Sequence, residues 1–147
     1  IGGAANHLET AVGVLSARAA AAGLFISEAD DLSIGDVDVM VSRVKADGAV
    51  TASTVSDATQ SDVATTGSNG AIVLRTTAGS ITLDNGTAPG AATTPADDVA
   101  VSAHGTGNIL IQAQGAGSDI TANADILSTN GNVSLRAAQA LSFAMEA

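Results

Sequence analysis

Apolar and polar residues alternate in short runs along much of this chain, and several of the runs are introduced by glycine. Gly70-Ala-Ile-Val-Leu-Arg75, Gly107-Asn-Ile-Leu-Ile-Gln112 and Gly131-Asn-Val-Ser-Leu-Arg136 can be laid over one another position by position. Each is followed, nine to twelve residues on, by a second run: Ser80-Ile-Thr-Leu-Asp84, Asp119-Ile-Thr-Ala-Asn123 and Ala140-Leu-Ser-Phe-Ala144. A period of two puts Ile72 with Leu74, Ile81 with Leu83, Ile109 with Ile111, and Val133 with Leu135 on one face of a strand. The last two units lie 24 residues apart, from Gly107 to Gly131. A repeat of that length, made of short strands and small-residue turns, predicts coils stacked on their neighbours. The expected class is all-β, a parallel β-helix or β-solenoid with coils of about 24 residues.

In such a stack the alternating side chains point inward and form rows. Ile72, Ile109 and Val133 make one expected row; Leu74, Ile111 and Leu135 make the next. Ile81 and Leu83 belong to the second strand of their coil. Burying one such side chain is worth roughly 1.5–3 kcal/mol. A single coil cannot cover both of its faces, so stability requires neighbours and terminal coils require caps. No cap is evident after the last unit, where Phe143 and Met145 fall on an open edge. Open β edges seek partners, so neighbouring repeats or other copies of the chain are the expected ones.

The first 55 residues are less regular and support N-terminal coils, or a helix plus strands. For residues 6–22 both readings stand. Asn6 and Glu9 resemble a capping box, and Leu8, Val12, Leu15, Ala19 and Ala22 share a helical face that Gly23 would end. The other reading makes Val12 to Ala17 the opening strand of a solenoid coil, with a turn over Ala19 to Ala22. From Gly23 the pattern is β: Leu24 to Ser27, then Asp31 to Ile34, then Val37 to Val44, with Val37, Val39 and Val41 on one face. Asp47-Gly48 marks a turn, and Gly48 to Thr54 is a weaker strand.

Residues 56–69 are polar and read as an irregular arc, and residues 70–147 as regular coils. An insertion over residues 85–96 holds both prolines of the chain. Proline cannot donate to a central ladder, so this stretch leaves the sheet. It accounts for the 37 residues, rather than 24, between Gly70 and Gly107. Insertions in repeat proteins extend from one side and often carry binding. The whole chain, 1–147, reads as one solenoid segment. Starting at Ile1 and stopping just past a strand-like run, it reads as a piece of something longer or a processed subunit.

Composition sharpens this picture. Hydrophobic residues are 46% of the chain, much of it alanine, and aromatics are 1%. A globular core relies on large side chains to fill its volume, whereas thin stacked layers can be filled by small ones. The net charge of −10, with five basic residues, argues against nucleic acid and against anionic membrane surfaces. No apolar run is long enough to cross a bilayer. Without cysteine there are neither disulfides nor thiolate metal sites.

Candidate chemistry is sparse. His7 and His104 are the only histidines, neither with a neighbour at metal-ligand or triad spacing, and His104 beside Gly105 reads as an exposed loop residue. No G-x-S-x-G elbow, P-loop or G-x-G-x-x-G is present. Arg75 and Arg136 occupy equivalent repeat positions, which suggests a structural row. The expectation is that the chain is not an enzyme and needs no cofactor. Calcium is the one ion the pattern raises, because it takes several carboxylate and carbonyl oxygens. Its candidate ligands are Asp30, Asp31 and Asp36, set against the default of a solvated acidic face.

With the repeat laid out, the chain resembles the giant repetitive exoproteins of bacteria, the filamentous-haemagglutinin-type adhesins. The likeness is carried by Leu8-Glu-Thr-Ala-Val-Gly-Val-Leu15, Gly23-Leu-Phe-Ile-Ser-Glu-Ala-Asp-Asp-Leu32, Gly107-Asn-Ile-Leu-Ile-Gln112, Gly117-Ser-Asp-Ile-Thr121 and Gly131-Asn-Val-Ser-Leu-Arg136. It implies a right-handed parallel β-helix secreted to the bacterial cell surface. There it would serve as a structural or adhesive module of a filament, stacked on neighbouring repeats or copies, with a host surface or polysaccharide as ligand. The alternative is a carbohydrate-binding or carbohydrate-acting β-helix domain.

Overall fold

The computed structural model describes residues 1–56, 62–86 and 98–144. Of the sixteen strands among these residues, fourteen wind as successive coils of a parallel β-solenoid, each full coil contributing one strand to each of three sheets. The first coil holds β1 (Leu8–Thr10), β2 (Val14–Leu15) and β3 (Ala17–Ala19). The second holds β4 (Leu24–Glu28), β5 (Leu32–Ile34) and β8 (Val63–Thr65). Between the last two of these an antiparallel hairpin intervenes, β6 (Asp38–Val44) and β7 (Val50–Ser56). The third coil is β9 (Ile72–Thr76), β10 (Ile81–Leu83) and β11 (Val99–Ala103). The fourth is β12 (Ile109–Ala113), β13 (Ile120–Ala122) and β14 (Asp125–Ser128), and the fifth contributes β15 (Val133–Ala137) and β16 (Leu141–Phe143).

Strand pairing follows from that winding. The first sheet runs β1-β4-β9-β12-β15, the second β2-β5-β10-β13-β16 and the third β3-β8-β11-β14. The inward rows are those the alternation implied: Ile109 lies between Ile72 and Val133, and Ile111 between Leu74 and Leu135. The first of these rows begins at Leu24, and the second extends back through Ile26 to Leu8. Ile81 pairs with Leu32 below and Ile120 above. Ile72, Leu74, Ile81, Leu83 and Ile111 are fully buried in this lumen.

Glycine marks the start of the units because coils touch there backbone to backbone. A Cβ on Gly107 would stand 2.4 Å from the Gly70 carbonyl oxygen, and one on Gly131 would stand 2.2 Å from that of Gly107. A Cβ on Gly70 would meet the Gly23 nitrogen at 2.8 Å. Only a residue without a side chain lets successive coils keep strand spacing at this corner.

Of the two readings of residues 6–22 the structure takes the solenoid one: residues 8–19 hold three short strands rather than a helix, because Leu8 and Leu15 are taken into rows against Ile26 and Ile34. Tertiary pairing overrides local helix propensity. The coil length of 24 holds for the last interval alone: Leu8 to Ile26 spans 18 residues, Leu24 to Ile72 spans 48 and Ile72 to Ile109 spans 37. Within the polar arc of 56–69, Val63–Thr65 forms β8, whose Val63 is fully buried beneath Val101. A strand with a single large apolar residue carries too little alternation to stand out. Most of the 85–96 insertion, from residue 87 on, lies outside the described residues, as does Met145.

Of the alternating run Val37 to Val44, Asp38–Val44 is a strand, but it does not join the solenoid. It pairs with β7 alone, from Asp38 opposite Ser56 to Val44 opposite Val50. Lys45 to Ala49 close the turn, with Asp47 Oδ1 accepting the Ala49 N–H at 2.9 Å. Both faces of the hairpin meet solvent, and Met40 is 73% exposed.

Candidate functional site at the open ends of the solenoid

Corners between strands are stitched by side chains that reach from one coil to the next. Asp31 Oδ1 accepts the Ser80 N–H at 2.7 Å, Ser80 Oγ accepts the Asp119 N–H at 3.1 Å, and Asp119 Oδ1 accepts the Ala140 N–H at 2.9 Å. Each of these residues immediately precedes the second strand of its coil. On another corner, Asn108 Oδ1 accepts both the N–H and the side-chain amide of Asn132, at 2.9 and 3.2 Å. Thr76 and Ser128 donate to the carbonyls of Gly79 and Gly107. Turn amides that the sheets cannot satisfy are thereby paired, as buried or semi-buried backbone requires.

These ladders decide what the acidic cluster does. Asp31 spends one carboxylate oxygen on the Ser80 amide, Asp30 is exposed in the turn before it, and Asp36 lies beyond β5. Three strand residues at about 3.3 Å each separate Asp31 from the far end of β5. Among the described residues, no group of three or more His, Cys, Asp or Glu side chains is arranged to hold a metal ion. Asp30, Asp31 and Asp36 are therefore not brought together as one calcium site.

Glu28, which the sequence groups with the acids of the following turn, is instead buried within the solenoid at the end of β4. Its Oε2 accepts the Thr10 hydroxyl at 2.5 Å, while Oε1 accepts the N–H groups of Val12 at 3.1 Å and Ala29 at 2.9 Å. It ties the first coil to the second. Glu28→Ala should remove about 1–3 kcal/mol, because buried donors lose their acceptor, and Glu28→Gln should lose less. Urea denaturation measures both, and equal stability of Glu28→Ala and the parent chain would refute the tether.

The remaining sequence candidates are dispersed. His7 packs its ring 6.0 Å from that of Phe25, and its Nδ1 is buried without a hydrogen-bond partner. His104 is exposed at the turn before Gly107. Arg75, Gln112 and Arg136 stand in one row on the outer face of the first sheet, and Arg75 Nη2 donates to Gln114 Oε1 at 3.1 Å. That row runs along the outer surface of the solenoid.

What the fold does concentrate is unpartnered surface at its two ends. Ile111, in the middle of its row, is fully buried, whereas inward-facing side chains of the fifth coil are not: Val133 is 44% exposed, Leu141 46% and Phe143 59%. Val133 and Phe143 rim a cleft that also takes in Ile126, Leu135 and Asp125. At the other end Leu8, which heads the Ile26 row, is 45% exposed. Strands β15, β16, β1, β2 and β3 are each at the edge of their sheet. Among the described residues the lumen is thus closed in the middle and open at both ends.

No family model, curated protein or solved structure matches this chain.

Proposed function

We propose that this chain is a rod-forming module of a secreted bacterial surface protein, a structural or adhesive segment that stacks end to end with neighbouring coils. The observation that carries this is the uncapped stack: parallel sheets run the length of the solenoid, and its apolar rows end half exposed. A parallel ladder of this kind is stiff, because bending it means breaking backbone hydrogen bonds on one side. The acidic surface, at a net charge of −10, keeps the sides of neighbouring rods apart and directs association to the ends. The repeat's resemblance to filamentous-haemagglutinin-type exoproteins supports the bacterial surface as its setting.

Negative-stain electron microscopy tests the module directly, with long thin rods as the expected result. Compact particles at every concentration would defeat it. Exchanging residues 85–96 for a glycine-serine linker separates the two versions of the module. Loss of surface attachment with rods retained marks an adhesive segment; unchanged attachment marks a scaffold.

A further inference from the structure

The two ends of the solenoid carry a further reading, which rests on the rod module and names its partner. We infer that each end is covered by the opposite end of a second copy of this chain, in a head-to-tail contact. The internal coil-to-coil interface already shows what such a contact needs. Between β12 and β15 it consists of parallel strands in register, with Ile109 over Val133 and Ile111 over Leu135. The outer edge of β15 presents the same strand direction and the same inward pair to whatever comes next. The outer edge of β1 presents Leu8, the head of that very row, and β2 presents Leu15, the head of the row that ends in Phe143.

A copy translated along the axis therefore adds β1 to β15 and β2 to β16 by continuing the pairing already used within the chain. At the junction the added strands would lie about 4.8 Å from β15 and β16, the ordinary strand spacing. Joining like ends would turn the edges antiparallel and lose the continuity of the rows. The contact is accordingly heterologous, one surface meeting a different one, and such contacts extend into filaments rather than closing into dimers.

The experiment uses one variant for each end. Leu8→Asp places a charge on the leading face, and Phe143→Asp places one on the trailing face. Both side chains are about half exposed, so each variant should keep the β circular dichroism spectrum of the parent chain. Leu141→Lys replaces Phe143→Asp if the latter does not fold. Sedimentation velocity is read by interference, since the chain has no Trp or Tyr. The parent chain should grow in size with concentration, each variant alone should stay monomeric, and an equimolar mixture should give one-to-one pairs and nothing larger. Assembly by either variant alone means like-end or lateral contacts, and overturns the head-to-tail arrangement. A parent chain that stays monomeric at every concentration, yet is elongated by its frictional ratio, overturns pairing between copies and leaves the rod module standing. A compact monomer overturns both.

Discussion

Ile111→Asp is expected to leave the chain without a cooperative unfolding transition. Ile111 is fully buried, with Leu74 on one side of it and Leu135 on the other. The substitution forfeits roughly 1.5–3 kcal/mol of apolar burial. It also places a carboxylate where no donor faces it, at an effective cost of several kcal/mol after relaxation. Together these approach the whole stability of a typical domain, about 5–15 kcal/mol. Ile111→Val, which only trims the side chain, should cost about 0.5–1.5 kcal/mol and keep the transition. Leu135→Asp is a sharper probe of position. Leu135 belongs to the same row but sits in the fifth coil, where it is only half-buried. It should lose less stability than Ile111→Asp and act chiefly on association at that end. Thermal melts followed by circular dichroism decide the matter: a cooperative melt for Ile111→Asp near the parent temperature would be incompatible with the stacked lumen.

Gly107→Ala carries the second large effect, and its cause is backbone rather than core. The added Cβ would lie 2.4 Å from the Gly70 carbonyl oxygen and 3.1 Å from that of His104, neither of which is a flexible side-chain end. The fourth coil would have to lift off the third at this corner. Overpacking of this kind typically costs about 1–3 kcal/mol, and here it also strains the ladder bonds on either side. Gly131→Ala meets a closer obstacle, 2.2 Å, but stands on the fifth coil, whose strands β15 and β16 are edge strands of the described sheets, so in a single chain it can shift outward. Its loss should be the smaller of the two. Gly13→Ala is the control, since nothing stands within 4 Å of the position its Cβ would take. Chemical denaturation of the three variants should rank them Gly107, Gly131, Gly13. A neutral Gly107→Ala would mean that coils do not touch at that corner.

The contrast between these glycines explains part of what could be read beforehand. Gly70, Gly107 and Gly131 stood out because a steric rule repeats at every coil, and repetition is visible in one dimension. The same holds for Ile72, Ile109 and Val133, whose spacing reflects one lumen met again and again. The corner ladder was legible in principle too, since Asp31, Ser80 and Asp119 each stand just before the apolar residue that opens a second strand. It was missed because aspartate in a turn has many roles. Glu28 reads in the sequence only as one more acid of the cluster around Asp30 and Asp31: its partners, Thr10, Val12 and Ala29, are set by how the first coil closes over the second.

The order of residues alone determined the architecture: all-β, coiled, stacked, with particular side chains facing inward. Alternation and glycine spacing are local consequences of burial, and burial in a solenoid recurs at every turn. Which strands would leave the stack was decided only in three dimensions. Val37 to Val44 alternates as cleanly as any strand in the lumen, yet it pairs with Val50–Ser56 in a hairpin whose two faces meet water. Alternation records that a strand has two faces; whether either one is covered depends on what the rest of the chain brings to it. The openness of the ends was decided in the same way. Val133 and Ile109 hold equivalent places in the repeat, and one is 44% exposed while the other is buried, because a side chain is buried by the coil above it as much as by the coil below.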